Sequence, residues 1–253
     1  MRKLGAVVLF AGSLSVALAA GPISGTFTID GSVTVTGTGI TWTSNTNVAD
    51  QATISSLGLS GSFVGLDNDT VGINNLTGLP GDQPVGVSFT NFDFIDFPAA
   101  LAYPSLDADF ISLGSGNPSN CSTNAAMAAA GQTCTLTSTT SPAQPGGSPF
   151  TFLNTLNGMS CCNSSATWDI SGVTSDGLSA WSGIFTSEFT TSYQTVLNDF
   201  VQDGFVSDGF SGAMTVSITP IISSVPEPAA LTLVGSGLIL ASLGLRRRKK
   251  QRP

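Results

Sequence analysis

The groups in this 253-residue chain able to do acid–base or ligand chemistry are carboxylates. Sixteen Asp and Glu stand against eight Lys and Arg, and there is no histidine. The basic residues are confined to the two ends: Arg2 and Lys3, then Arg246, Arg247, Arg248, Lys249, Lys250 and Arg252. Every carboxylate except Glu227 lies in the stretch from Ala20 to Val225, with no cation in that stretch to pair it. Phosphate, nucleotide and nucleic-acid sites need Arg or Lys to neutralise the ligand, so no nucleic-acid partner is expected. Histidine bases, lysine nucleophiles and histidine-ligated metals are excluded on the same inventory.

Two carboxylate patterns merit weighing. Asp107 and Asp109, two apart on a predicted strand, would share a face at about 7 Å. Such a pair could serve a glycosidase or an acid protease. The Asp-Thr/Ser-Gly signature of aspartic proteases is absent, since Asp30 and Asp176 precede Gly directly. A solvent-facing strand edge is the plainer reading, and no catalytic residue is assigned. Asp67-Asn68-Asp69, followed by Gly72 and Asn74, begins like a calcium loop. Val71 and Gly78 occupy two of its ligand positions, which leaves Asp67 and Asp69 as weak metal candidates against an Asx-rich turn. No cofactor is expected.

The elements that would carry these groups read as all-β. More than a quarter of Gly21–Ser224 is Ser or Thr, and apolar residues recur there at period two between turn signals. A loop at Asp30-Gly31-Ser32 would set Ile29 opposite Val33 and Phe27 opposite Val35. A second loop, Thr36–Gly39, would set Val35 opposite Ile40 and Val33 opposite Trp42. Further strands are predicted at Ala52–Leu59, Val71–Leu76, Val85–Phe94, Leu106–Leu113, Phe150–Asn154, Ala166–Val173, Leu178–Phe189 and Phe210–Ile218. One helix has conviction: Thr191 and Gln194 form a capping-box pattern, Tyr193, Val196, Leu197, Phe200 and Val201 form one apolar stripe, and Gly204 stops it. The expected fold is an antiparallel sandwich or meander of roughly ten strands, with one short helix before the last strand. Thr-x-Thr pairs such as Thr26/Thr28 and Thr41/Thr43 suit the wet face of such strands, and no fixed repeat stacks them into an ice-binding array.

Gly114–Ser148 has no periodicity and reads as loop. Cys121 and Cys134 bracket its Ala-rich part. An even cysteine count in an exported chain makes a bridge between them the natural reading. Cys161 and Cys162 are adjacent, and are either paired with each other or thiols.

The two ends are addresses. Arg2 and Lys3 precede an apolar run from Leu4 to about Leu18, and Ala17 and Ala19 fit the −3 and −1 positions of a signal-peptidase site. Residues 1–19 are therefore expected to be a Sec-type signal peptide and 20–220 an extracytoplasmic β domain. Residues 221–253 form a linker and tail in three ordered parts. Val225-Pro226-Glu227-Pro228 comes first, then the uncharged apolar segment 229–245, then the basic cluster 246–252. The apolar segment spans roughly 25 Å as a C-terminal transmembrane helix, near the lower limit for crossing a bilayer, with the basic cluster left on the cytoplasmic side.

Those three parts in that order resemble the PEP-CTERM sorting tail of Gram-negative bacteria, a tail also known as an ice-binding protein C-terminal domain. The resemblance covers about the last 28 residues. It implies recognition by an exosortase, cleavage near Pro226-Glu227-Pro228 and transfer to the cell surface or matrix. Proteins with such a tail are often associated with exopolysaccharide systems. The expectation for the whole chain is an exported, non-enzymatic adhesion or structural protein. The alternatives are an extracellular carboxylate-based hydrolase or a Ca²⁺-dependent adhesin.

Overall fold

Period-two alternation produces eleven strands among the described residues: β1 (Gly25–Thr36), β2 (Gly39–Ser44), β3 (Gln51–Ile54), β4 (Thr70–Ile73), β5 (Phe92–Asp96), β6 (Leu106–Ile111), β7 (Thr133–Cys134), β8 (Thr151–Asn157), β9 (Ser160–Thr174), β10 (Ser179–Phe189) and β11 (Phe205–Ile218). The one α-helix among the described residues, α1 (Tyr193–Asp203), precedes the last described strand. The computed structural model describes residues 21–79, 81–158 and 160–219. The expected signal peptide with Ala17 and Ala19, Val225–Pro228, the apolar segment 229–245 and the basic cluster from Arg246 all lie outside the described residues. Among the described residues no helix is long and apolar enough to cross a membrane.

The sheet closes, which corrects the expectation of an open sandwich or meander. Going round, the order is β1-β3-β4-β5-β6-β9-β10-β11 and back to β1, every neighbour antiparallel. Closure is possible because β1 and β9 are long enough to change partners along their length. β9 pairs with β10 on one edge from Ser164 to Val173, while its other edge pairs first with β8 and then with β6. β1 does the same, with β11 on one edge and β3 then β2 on the other. A closed eight-stranded barrel leaves no free edge on that circuit, and its interior is just wide enough for side chains to fill.

The fill alternates large against small. Phe185 of β10 faces Trp168 on β9 and Gly212 on β11, while Gly183 faces Ile170 and Met214. Trp181 sits beside Gly172. Trp168 and Phe185 stack with ring centres 5.5 Å apart, and Trp42 meets Phe210 edge-on at 4.9 Å. Gly31 shows the same logic and explains a misreading. Asp30-Gly31-Ser32 is no loop: β1 runs straight through it, since Phe27, Ile29, Val33 and Val35 keep one alternation. A Cβ on Gly31 would lie 2.8 Å from the Phe210 ring, so this glycine makes room in the core. The second expected loop does turn, and Val35–Ile40 and Val33–Trp42 face each other as expected.

The helix begins one residue later than the capping pattern suggests. Ser192 is the N-cap, its side chain accepting from the Thr195 N–H, and Gly204 closes the helix in the left-handed region at φ 79°. Gln194 does not cap. It is buried, and its side chain accepts from Asn154 Nδ2 (2.9 Å) and donates to Gln132 Oε1 (3.0 Å). Asn154 Oδ1 accepts the Tyr193 N–H at 3.0 Å. This relay ties α1 to β8 and to the loop before β7. The expected strand at Val85–Phe94 begins only at Phe92; Phe89 N–H bonds to the Asp109 carbonyl from outside the ladder.

Gly212→Val tests the packing rule. A Cβ there would meet the Phe185 ring at 2.8 Å and Ile29 at 3.2 Å. The expected result is a loss of about 1–3 kcal/mol in denaturant unfolding with an unchanged m-value.

Candidate functional site

Two places on the barrel gather chemically distinctive side chains. The first is a carboxylate face built by a β-bulge. The β5–β6 register shifts between Asp93 and Ile95, so Phe94 and Ile95 both point into the core. Asp93 and Asp96 consequently both face outward, and Asp93 pairs with Asp107 across the ladder. Partial burial raises the Asp96 carboxyl above its ordinary value of 3.8, and the neighbouring charge of Asp93 adds to the rise. A hydrogen bond from Asn74 opposes it. Asp107 is also raised, again chiefly by desolvation; Ser105 Oγ, at 3.1 Å, pulls the other way. With no cation near, no opposite charge offsets the rises at Asp96 and Asp107.

The second place is a cavity of about 70 Å³ at the pole where α1 lies. The long strands run past the closed circuit there. Val33 and Val35 of β1, Ala166 and Trp168 of β9, and Phe189 of β10 form its walls. Val196, Leu197 and Phe200 of α1 cover it, and Phe150 and Pro149 close one side. Its polar residues include Ser187, Gln144 and Asp208. Two buried groups in the wall residues have no hydrogen-bond partner: Trp168 Nε1 and Ser187 Oγ.

Of the sequence-predicted residues, Asp107 falls at one of these places and the others do not. Asp107 belongs to the carboxylate face; Asp109, two residues on, sits at the β6–β9 register shift, with buried Ala108 between the two half-buried Asp residues. Asp93 and Asp96 were missed because a bulge breaks the alternation that would have placed them on one face. Asp67 and Asp69 flank Asn68, whose positive φ of 62° lies in a tight turn closed by the Asp69 N–H donating to the Leu66 carbonyl at 3.0 Å. No cluster of three or more metal-ligating side chains occurs among the described residues. Cys121 is joined to Cys134, with Cα atoms 5.1 Å apart, and Cys161 is joined to Cys162. The loop closed by the first bridge is further held by Tyr193 Oη donating to the Asn120 carbonyl at 3.1 Å.

Comparison with known proteins identifies the end of the chain. Residues 224–249 match the model of the PEP-CTERM protein-sorting motif. This is a chain bearing a PEP-CTERM sorting signal, and the motif implies an exported protein processed by an exosortase and carried through the membrane to the cell surface. No curated protein and no solved structure matches the chain.

A carboxyl raised by folding stabilises the fold when protonated. That contribution is complete below the ordinary value of 3.8 and is lost as pH rises through the raised value. Asp96→Asn should therefore raise Tm at pH 7, and the difference from the parent should close as pH falls below 3.8. Thermal melts from pH 3 to 7 check this.

Proposed function

We propose that the barrel acts without catalysis, as an adhesion or structural module associated with exopolysaccharide at the surface or in the matrix of a Gram-negative bacterium. The observation that carries the reading is the domain's uncompensated charge. Fifteen carboxylates and no cation lie between Ala20 and Val225. Eight of them lie on strands whose outward positions are otherwise largely Ser and Thr, as in Thr26, Thr28, Thr34, Ser182 and Ser211, and the other seven lie on turns, loops and α1. A surface of this kind stays hydrated, repels anionic polymers on its own, and associates with them once divalent cations bridge carboxylates of both partners. Export and sorting by the tail would bring it to the compartment where such polymers lie.

A second reading, an extracellular hydrolase, draws support from Asp93 and Asp96, which converge with one raised carboxyl. Against it, both carboxylates lie on the convex outside of the barrel and neither lines the cavity.

Full-length protein applied to polygalacturonate beads should be retained in millimolar calcium and released by EDTA, with little retention on neutral glucan beads. Retention that ignores calcium, or none on either bead, discards the adhesion reading. Release of reducing sugar that Asp96→Asn abolishes would establish the hydrolase instead. The sorting step is checked by intact mass of the native protein: loss of residues 1–19 and of the segment after about Pro226 is expected, whereas retention of Arg246–Pro253 in the inner-membrane fraction overturns it.

A further inference from the structure

We propose that the cavity at the α1 pole binds a small neutral molecule, or the neutral end of a larger one, with an apolar body and a single hydroxyl or carbonyl group. The barrel below it is filled by side chains, yet here the packing stops. An apolar cavity left empty costs stability in proportion to its size, so an occupant of this space of about 70 Å³ would stabilise the fold. That volume takes a few carbon atoms. Half-buried Val35, Phe189, Phe200 and Val206 line it, so the remainder of a longer chain can pass between them toward solvent.

The polar end of the ligand follows from the two unpartnered groups. Trp168 and Ser187 are 2 % and 3 % exposed, and burying an indole N–H and a hydroxyl without partners carries a desolvation penalty for each. Both atoms are covered and do not open onto the cavity as it stands, so a ligand's hydroxyl or carbonyl oxygen pairs with Trp168 Nε1 and Ser187 Oγ only where the wall side chains shift on entry. Charge excludes the other common amphiphiles. Asp208 lines the cavity and no cation exists between Lys3 and Arg246, so a carboxylate or phosphate head would enter uncompensated beside a like charge. Access is also favourable. Gly25 pairs with Val216 and Thr219 N–H bonds to the Leu178 carbonyl, so the described chain enters and leaves at the other pole, on the order of 30 Å away.

The test uses full-length protein in lipid nanodiscs, titrated with 1-hexanol and with hexanoate, following Trp fluorescence and Tm. Saturable binding of 1-hexanol with a raised Tm is expected, with hexanoate weaker by about tenfold or more. Asp208→Asn should narrow that gap. Ser187→Ala should weaken 1-hexanol several-fold. Ala166→Leu, which fills the cavity from β9, should abolish the saturable response while leaving any lipid-partitioning background. If that variant does not fold, Val196→Phe fills the space from α1. The proposal is overturned by a response that does not saturate, by hexanoate binding as tightly as 1-hexanol, or by a folded cavity-filling variant that still responds like the parent.

Discussion

The pairing of β9 with β10 is the constraint on which the rest of the molecule depends. Ten residues of each strand meet in one unbroken register, from Ser164 with Phe189 to Val173 with Ala180. That ladder turns a curved sheet into a closed barrel, and closure fixes the interior width. Once the width is fixed, the interior must be filled at constant cross-section. The chain meets this by setting Gly172, Gly183 and Gly212 beside Trp181, Met214 and Phe185. A second large residue in any of these pairs would force the strands apart, and a second small one would leave a void.

The same four strands that close the barrel also outrun it. β1, β9, β10 and β11 extend past the point where β3 and β6 stop pairing with them, and β2 and β8 take over the outer edges. This extension gives the molecule two unlike poles. One holds the chain exits. The other is covered by α1, held in place by a buried amide relay from Asn154 through Gln194 to Gln132. Directional bonds inside a low-dielectric region fix the helix more sharply than apolar contact alone would. The cavity lies beneath this helix, between its apolar stripe and the strand extensions.

Reading the sequence recovered most of the elements and few of their junctions. The turn Thr36–Gly39, the helix with its Gly204 stop and the strands about Leu106, Ala166, Leu178 and Phe210 were legible because each rests on a local signal. Asp30-Gly31-Ser32 was misread because a glycine that makes room for Phe210 carries the same letter as a glycine that turns the chain. The reach of β9 back to Ser160 was hidden because Ser164, Ser165 and the adjacent cysteines lack the apolar alternation that marks a strand. The carboxylate face was hidden for a related reason, since the bulge at Phe94 puts Asp93 and Asp96 on one side although they are three apart.

By itself the sequence determined the address, the charge and the local alternation. The ordered tail, the confinement of every cation to the ends and the period-two pattern are properties of neighbouring residues, readable without knowing what any strand touches. Closure, the pairing of large side chains with distant glycines, the burial of Gln194 and the cavity over Trp168 were decided only by the tertiary structure. Each depends on which strands meet edge to edge, and a strand's pattern says which face turns inward but not which partner stands beside it.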